Sequence, residues 1–262
     1  MFDFHMHSTI SFDGQGSPEA MAAAAAQAGL REICFTDHVD DDPRGIYQDS
    51  HFSLERYAAS YDHLRVPGLT IRLGMEFGML PDNPETVRGY LAQRDFDFII
   101  GSVHFADGED VYFVPYWQGK TVHQAERRYL ENVYACVQAH TDFDVLGHLT
   151  YLSKARFHPA RRCIPLEEHR EIVDAILREL VRKGKGLEIN SSGVDRCGDF
   201  LPGEAYLRRF RELGGQIVTV GSDAHSPDRV GQYMPRACEL AGEIFGYVCT
   251  FHDRQPVFHK IP

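Results

Sequence analysis

Six short apolar segments that each end in histidine or an acidic residue constrain the fold of this chain more than any other feature. In the first, residues 2–7, side chains of an extended strand alternate between two faces, so His5 and His7 lie on the same face. The five later segments of this design are residues 33–38, 71–76, 98–104, 145–148 and 217–225. Histidine, aspartate or glutamate at the ends of six apolar strands predicts that these ends meet and form a single functional site.

Strand-like and helix-like segments alternate along the chain. Thr121 and Gln124 have the spacing of a capping box at the start of one helix. Strands are predicted near residues 2–7, 32–38, 70–76, 96–104, 144–148, 186–191 and 216–223, with a last strand expected within 247–258. Helices are predicted near residues 18–29, 53–65, after Pro84, 121–139, 166–182, 203–213 and 228–243.

This alternation predicts an α/β protein with a parallel sheet. No Pro-, Gly- or Ser-rich linker and no change in composition divides the chain, so we expect residues 1–262 to form a single domain. About seven repeats favour a closed barrel, a distorted TIM-like (β/α)7 barrel, over an open doubly wound sheet. In such barrels the active site lies where strands run out into the following loops, and every candidate ligand occupies such a position.

Composition limits the classes of partner and compartment. The formal net charge of −11 argues against extended nucleic acid, because proteins that bind its phosphate backbone carry a basic stripe. No two of the six cysteines lie within four residues of each other, so we expect reduced thiols and no thiolate zinc knuckle. Polar residues in the first ten positions argue against a secretory segment, and no apolar run has membrane-spanning length. We therefore expect a cytoplasmic monomer or small homo-oligomer that binds no membrane.

The polar residues at the strand ends have the chemistry of a metal centre. Six imidazoles and two carboxylates are enough for two or three zinc, manganese or iron ions, and unpaired carboxylates there would be costly without cations. Because Asp37 and His38 are adjacent on a strand, only one of them is expected to enter the site. Histidines that end no apolar strand, such as His123, His158 and His169, are interpreted as ordinary residues. The candidate ligands are His5, His7, His38, Glu76, His104, His148, Asp223 and His225.

These segments resemble the motifs of the PHP (polymerase and histidinol phosphatase) superfamily of metal-dependent phosphoesterases. Within it, the resemblance is closest to the monofunctional histidinol-phosphatases, which residues 118–121 and 188–193 support. The matching motifs, in the family's order, are His5-Met6-His7, Thr36-Asp37-His38, Gly74-Met75-Glu76, Gly101-Ser102-Val103-His104, Gly147-His148 and Gly221-Ser222-Asp223-Ala224-His225.

The resemblance implies a (β/α)7 barrel with a trinuclear centre of divalent or trivalent metal ions. Some members of the family have histidine where Asp13 stands, and a carboxylate oxygen is also a competent ligand. The resemblance assigns three ligand sets, of which the first two share Glu76: His5, His7, Glu76 and Asp223; Glu76, His104 and His148; and Asp13, His38 and His225.

The resemblance also implies a reaction. The substrate would be L-histidinol phosphate, hydrolysed to L-histidinol and phosphate in histidine biosynthesis by hydroxide from a water that two metals share. Glu76, Asp223 and His225 would be catalytic, and Asp223 and His225 could relay a proton to the leaving alkoxide. The predicted phosphate binders are Arg196, Lys154 and Arg161.

Several alternatives are open from sequence alone. The metal centre could act on another small phosphomonoester or on a nucleotide, or the barrel could be a non-catalytic regulatory protein that binds metal. The arginines within residues 156–162 could be solvated loop charges instead of phosphate binders. The aromatic loop 112–117 could be a lid over the substrate or could pack on the barrel rim.

Overall fold

Parallel strands alternate with helices in the computed structural model, which describes residues 1–47 and 49–261. The strands are β1 (Phe2–Met6), β2 (Glu32–Phe35), β3 (His38–Asp40), β4 (Thr70–Gly78), β5 (Phe98–Ser102), β6 (Phe105–Ala106), β7 (Glu109–Asp110), β8 (Val145–Leu146), β9 (Gly186–Asn190), β10 (Val218–Gly221), β11 (Tyr247–His252) and β12 (Gln255–Lys260). The barrel order is β1-β2-β4-β5-β8-β9-β10, and adjacent strands along it are parallel. β3 also pairs with β4, so it continues the second barrel position beyond β2.

The barrel closes between β1 and β10, which lie far apart in sequence. The backbone N–H of Asp223 donates to the carbonyl of His5, and that of His7 donates to the carbonyl of Ala224, both at 2.8 Å. Met6 and Ala224 form an isolated parallel bridge at this seam. Seven parallel strand positions thus form a nearly closed barrel, and the predicted TIM-like (β/α)7 architecture is confirmed.

Helices follow most of the barrel strands. They are α1 (Pro18–Gln27), α2 (Leu54–Tyr61), α3 (Pro84–Leu91), α4 (Val114–Trp117), α5 (Val122–Ala139), α6 (Arg170–Arg182), α7 (Val194–Cys197), α8 (Glu204–Glu212) and α9 (Met234–Phe245). The capping box of α5 is confirmed, with Gln124 N donating to Thr121 Oγ1 at 3.2 Å and Thr121 N donating to Gln124 Oε1 at 2.9 Å. None of the described helices is long and apolar enough to cross a membrane.

The last predicted helix starts later than the pattern indicated. α9 begins at Met234 because Gly231 and Tyr233 have φ angles of +72° and +62°, which a right-handed helix does not accommodate. The preceding residues form a separate 3₁₀ turn at Pro227–Arg229.

The single strand predicted within 247–258 is a hairpin instead. β11 and β12 pair antiparallel, and the turn falls at Asp253 and Arg254, which both have positive φ. Arg254 N donates to the carbonyl of Asp97, just before β5, and Arg254 Nε lies 2.5 Å from the carboxylate of Asp144, just before β8. The hairpin therefore covers the N-terminal end of the barrel and leaves the opposite end open.

Polar side chains are buried at that opposite end. One apolar cluster extends from Phe2 to Phe251, and β1, β5, β9 and β10 are buried along their whole length, as in a parallel sheet covered on both faces. Seven of the predicted site residues at the C-terminal strand ends are at most 8% exposed: His5, His7, His38, Glu76, His104, His148 and Asp223. Burial of such groups is costly unless each has a partner.

Candidate metal centre

The ends of β1, β4 and β10 bring together the first predicted ligand set, His5, His7, Glu76 and Asp223. His5 Nε2 lies 3.3 Å from Glu76 Oε2 and 3.7 Å from Asp223 Oδ1. His7 Nε2 lies 3.5 Å and 3.4 Å from the same two oxygens. Tetrahedral zinc with bonds of about 2.0–2.2 Å would place its ligand atoms roughly 3.3–3.6 Å apart. These four side chains therefore have nearly the spacing that one ion requires.

The second oxygen of Glu76 faces the second set. Glu76 Oε1 lies 2.8 Å from His148 Nε2 and 3.3 Å from His104 Nε2, and it accepts a hydrogen bond from Ser102 Oγ at 2.6 Å. The register of β4 against β3 places Glu76 opposite His38. One carboxylate thus presents its two oxygens to two groups of imidazoles, as a bridging ligand does.

The third set lies at the edge of the cavity. Asp13 follows β1 and places Oδ2 3.2 Å from His225 Nε2 and Oδ1 3.7 Å from His38 Nε2. The two imidazole nitrogens are 3.4 Å apart. The ring of His7 stacks on both His38 and His225, with centroid separations of 4.3 and 4.1 Å. All nine side chains predicted as ligands therefore converge on one region, although their role as ligands stays a prediction.

Several polar atoms in this cluster are buried without a hydrogen-bond partner among the described residues. They include His5 Nε2, His7 Nε2 and Glu76 Oε2. A buried polar atom without a partner costs about 1–3 kcal/mol, so protein contacts alone do not account for this arrangement. Cations would satisfy these atoms, and sets of imidazole and carboxylate ligands suit zinc, manganese or iron. The residues therefore fit the implied metals.

Hydrogen bonds behind the histidines orient them. His5 Nδ1 lies 2.6 Å from Glu188 Oε1, and His104 Nδ1 lies 2.8 Å from Asp40 Oδ1. An Nδ1–H that donates to a carboxylate leaves the lone pair of Nε2 directed at Glu76, as metal binding requires. His7 Nδ1 makes the corresponding contact, at 3.1 Å, with the hydroxyl of Ser11.

Asp40 and Glu188 were not identified as site residues from the sequence. Asp40 is two residues after His38 on β3, and the same alternation that selected His5 and His7 could have identified it. Glu188 lies within β9, where a single acidic residue in an apolar strand would itself have indicated a buried partner. Glu188 also accepts the backbone N–H of His148 at 2.7 Å, so it positions two predicted ligands.

Only one residue of the Asp37-His38 pair enters the cluster, as the alternation predicted. Asp37 is fully buried but turns the other way, where its Oδ1 accepts from Ser8 N and Ser11 Oγ, both at 2.8 Å. Tyr61 donates its phenolic O–H to the second oxygen of Asp37. Asp37 therefore anchors the loop after β1, the loop that carries Asp13.

Electrostatic interactions inside the cluster shift the ionisation of its members. Burial disfavours the charged form of Glu76, but the surrounding imidazoles, His5 foremost, hold its pKa well below the usual range. Burial also opposes protonation of His38, yet Glu76 and Asp13 raise its pKa to about 9. Burial and neighbouring imidazoles lower the pKa of His7 far below its ordinary value. The protein groups alone thus give an ionised Glu76, a neutral His7 and a protonated His38 at neutral pH, so an ion that binds His38 displaces its proton.

A cavity of about 900 Å³ opens at the C-terminal end of the barrel above the cluster. Its floor includes Glu76 and Asp223, whereas the fully buried His5 and His7 lie behind them. Three cationic side chains line its wall, namely Lys154, Arg196 and Arg229. Another part of the wall is aromatic: Phe12, Tyr47, Phe105, Tyr112, Phe113 and Tyr151.

Two of the three predicted phosphate binders reach this cavity. Lys154 Nζ lies 2.5 Å from Asp223 Oδ2 and 2.9 Å from Ser192 Oγ, so its ammonium group adjoins the predicted metal ligands. Arg196 lies on α7, just after β9, and its side chain lines the cavity. Both positions are compatible with contact to a phosphoryl group held above the cluster.

The structure does not bring Arg161 to the cavity. Its side chain is exposed, and its φ of +45° places it in a tight turn of the loop after β8. The adjacent Arg162 is directed inwards instead, with Nη1 3.2 Å from the buried carboxylate of Glu126. Arg161 therefore has the position of a solvated loop charge, the alternative that the sequence left open.

The aromatic loop divides into two parts. Tyr112 and Phe113 line the cavity, whereas Trp117 packs on the rim. Trp117 donates its indole N–H to the carbonyl of Val111 at 3.1 Å and contacts His158 edge to face at a centroid distance of 5.0 Å. The lid interpretation therefore applies at most to Tyr112 and Phe113.

We expect Trp117→Ala to destabilise the fold without impairing substrate binding. Loss of a half-buried indole removes apolar contacts worth about 2 kcal/mol, less than the cost for a fully buried aromatic residue. Chemical denaturation should show this loss, and KM should stay within about twofold. Phe113→Ala is the matched control, because Phe113 is 40% exposed and lines the cavity. Phe113→Ala should raise KM with little change in stability. A raised KM in Trp117→Ala together with a loss of stability in Phe113→Ala would contradict the assignment of Phe113 to the cavity and Trp117 to the rim.

Comparison with known proteins shows which family this chain belongs to and which proteins it resembles. The sequence pattern of the PHP domain family matches residues 3–192, while Arg196, Asp223 and His225 lie beyond that range. A histidinol-phosphatase of Lactococcus lactis is 32% identical over 232 residues, which cover 87% of this chain and 85% of that protein. A probable histidinol-phosphatase of Clostridium acetobutylicum is 27% identical over 245 residues, covering 92% of each chain.

A solved structure extends the similarity to three dimensions. The crystal structure of a histidinol phosphate phosphatase from Lactococcus lactis, complexed with zinc, L-histidinol and phosphate, superposes with a TM-score of 0.80. The two chains are 27% identical, and the superposition covers 98% of each. Because the family pattern spans well over half of its residues, this chain belongs to the PHP domain family.

Proposed function

We propose that this chain is a metal-dependent histidinol-phosphatase that hydrolyses L-histidinol phosphate to L-histidinol and phosphate. The observation that carries the proposal is the cavity, where a floor of imidazoles and carboxylates adjoins Lys154 and Arg196. This arrangement occurs in a chain that aligns over nearly its whole length with an enzyme crystallised with zinc, L-histidinol and phosphate.

The three convergent ligand sets support a centre of two or three ions. His5, His7, Glu76 and Asp223 would hold one ion, and Glu76 would share a second with His104 and His148. Asp13, His38 and His225 would hold a third. Bound cations of this kind supply a more acidic water and neutralise charge on phosphoryl oxygens.

The cationic wall would bind the phosphate group. Lys154 presents an ammonium point charge and Arg196 presents a planar guanidinium fork, which suits two phosphoryl oxygens at once. The aromatic part of the wall, including Tyr112 and Phe113, would pack on the organic part of the substrate and exclude water from it.

Asp223 is well placed to handle a proton. Its Oδ1 faces His5 and His7, whereas its Oδ2 faces Lys154 and Ser192 at the cavity. We propose that Oδ2, which Lys154 keeps ionised, takes up the proton lost by the attacking water and passes it to the leaving alkoxide, the relay that the sequence resemblance suggested. His225 Nδ1 lies 2.9 Å from the carbonyl oxygen of Asp223, so an N–H there donates to it and orients the ring beside that carboxylate.

We also propose that residues 1–262 act as one domain. A single apolar cluster runs from Phe2 to Phe251, and the predicted ligands run from His5 to His225. A division of the chain within that span would separate the ligands of one centre from each other.

The test is phosphate release by the purified, zinc-loaded protein from L-histidinol phosphate and from a panel of phosphomonoesters. The panel contains phosphoethanolamine, phosphoserine, a nucleoside monophosphate and p-nitrophenyl phosphate. We expect kcat/KM to be roughly 10²-fold or more higher for L-histidinol phosphate, because only that substrate fills both the phosphate site and the aromatic wall. Activity must co-elute with the chain and disappear on chelation, which excludes a contaminating phosphatase.

Other results of this panel would change the conclusion in defined ways. A cavity of about 900 Å³ is near the upper end of the usual range for ligand pockets, so a larger phosphomonoester is the second candidate substrate. Preference for the nucleotide would overturn the substrate and keep the reaction. Absence of turnover on every ester, with metals bound, would overturn the phosphatase proposal and favour a regulatory barrel.

We expect Arg196→Ala to raise KM for the phosphomonoester by roughly tenfold to 150-fold with a smaller effect on kcat. The variant removes a charged hydrogen-bond donor, worth about 1.5–3 kcal/mol, from the cavity wall. Arg178→Ala on the exposed face of α6 makes the same change of charge away from the cavity and should leave KM unchanged. Equal increases of KM in the two variants would show that Arg196 acts only through the net charge of the protein and not through contact with the phosphate group.

A further inference from the structure

A second group of potential metal ligands lies outside the barrel mouth. It is formed by His123, in the first turn of α5, and by Glu168 and His169, in a 3₁₀ turn (Glu167–His169) just before α6. One nitrogen or oxygen atom from each of the three side chains lies within 4.8 Å of the other two. Since His123 and Glu168 are exposed and His169 is buried, the group reaches from the surface into the protein.

His169 is the informative member of this group. It is 2% exposed, and its Nδ1 is buried without a hydrogen-bond partner among residues 1–47 and 49–261. Its Nε2 lies 3.1 Å from Glu126 Oε2, so the Nε2–H donates to that carboxylate. This hydrogen bond fixes the tautomer and leaves a lone pair on Nδ1, the atom without a partner.

Glu126 has the properties of a carboxylate that supports a ligand. It is fully buried, and Arg162 Nη1 lies 3.2 Å from its second oxygen, which favours the ionised form. A histidine that binds metal commonly donates its other N–H to such a carboxylate. The barrel centre contains the same arrangement twice, in the contact of Glu188 with His5 and that of Asp40 with His104.

We propose that His123, Glu168 and His169 bind a divalent transition metal of the zinc type at a site separate from the barrel centre. Two imidazoles and one carboxylate match the ligand chemistry of zinc and leave a fourth position for water, whereas calcium and magnesium prefer oxygen ligands. This proposal does not depend on the phosphatase activity.

Only exposed side chains need to move for an ion to bind. Zinc ligand atoms lie about 3.3–3.6 Å apart, compared with a spread of up to 4.8 Å here, so small rotations of His123 and Glu168 close the site. The rings of His123 and His169 already stack, with their centroids 4.6 Å apart. Arg162 Nη2 is 3.7 Å from Glu168 Oε2, too far for a hydrogen bond, so that carboxylate keeps free acceptor capacity.

An ion at this site would join the start of α5 to the segment that leads into α6. Both elements contribute to the packing around Glu126, which also contacts His158 and Arg162 of the loop after β8. The expected role is therefore structural: the ion would hold that loop against α5.

The test is a count of zinc equivalents. Protein with a filled barrel centre is titrated with Zn²⁺ against a chromophoric chelator, and the wild-type chain should bind one further equivalent. His123→Ala should lose that equivalent, and Glu168→Gln should bind it at least tenfold more weakly. The added zinc should also raise the Tm of the wild-type protein but not that of His123→Ala.

The matched control is His63→Ala, which removes another exposed histidine and should keep the extra equivalent. Equal zinc counts in the wild-type and His123→Ala proteins would overturn the proposal. So would equal losses in His123→Ala and His63→Ala, because the extra zinc would then be non-specific. Both ligand substitutions are at the surface, so misfolding does not confuse the result.

Discussion

Replacement of Glu76 by glutamine is expected to lower kcat/KM for phosphate release by about 10³-fold or more. Glu76 has one oxygen 3.3 Å from His5 Nε2 and the other 2.8 Å from His148 Nε2, so it is the carboxylate that joins two ligand sets. Metal ions contribute several kcal/mol of transition-state stabilisation, and each 1.4 kcal/mol or so corresponds to a factor of ten. The nearly isosteric amide keeps the volume and removes the negative charge.

The zinc content and circular dichroism of Glu76→Gln show whether activity is lost through the metal centre or through misfolding. We expect Glu76→Gln to retain less than the wild-type number of zinc equivalents while its circular dichroism stays native. Glu32→Gln is the matched control, because Glu32 lies at the start of β2 in an ion pair with Arg72, away from the cavity. Wild-type activity in Glu76→Gln would exclude Glu76 as a bridging ligand.

Lys154→Met should lower kcat/KM by about 10²-fold to 10³-fold, with the full complement of metal retained. The ammonium group of Lys154 adjoins Asp223 at the cavity, where charge on a phosphoryl group would develop. Removal of one preorganised donor to a developing charge costs about 10²–10³ in rate. Methionine preserves the length and apolar character of the side chain, so the change in rate reports the lost charge.

Two further variants test this interpretation of Lys154. Lys154→Arg should recover part of the activity, because the charge is restored in a different geometry. Lys260→Met, at the exposed end of β12, should have wild-type activity. A loss of zinc in Lys154→Met would contradict the role of Lys154 in phosphate binding. It would show instead that Lys154 positions the predicted ligand Asp223.

The convergence of the predicted ligands could be foreseen because it follows from local geometry. Side chains along a strand alternate between two faces, and parallel strands end at a common edge of the sheet. His5, His7 and Glu76 could therefore be grouped from the sequence. The same rule correctly predicted that one residue of Asp37-His38 would turn away. The fold class followed from the alternation of elements.

Features that depend on irregular segments were not predictable. The loop after β8 has no periodicity, and sequence alone could not distinguish the inward Arg162 from the exposed Arg161. The late start of α9 depends on two residues with positive φ, one of which, Tyr233, does not favour that conformation. Asp40 and Glu188, behind the predicted ligands, are different: both lie on regular strands and could have been found from the pattern, but the sequence does not tell which histidine each one contacts.

Because β10 closes the barrel against β1, the predicted metal centre is complete only late in synthesis. His5 and His7 leave the ribosome first, but Asp223 and His225, with which they converge, follow only after the last barrel strand. A nascent chain arrested before β10 would carry all of residues 3–192, the part that the family pattern matches, and still lack two predicted ligands. The first and third predicted ligand sets, which contain Asp223 and His225, are therefore available to metal only after residue 225 has been synthesised.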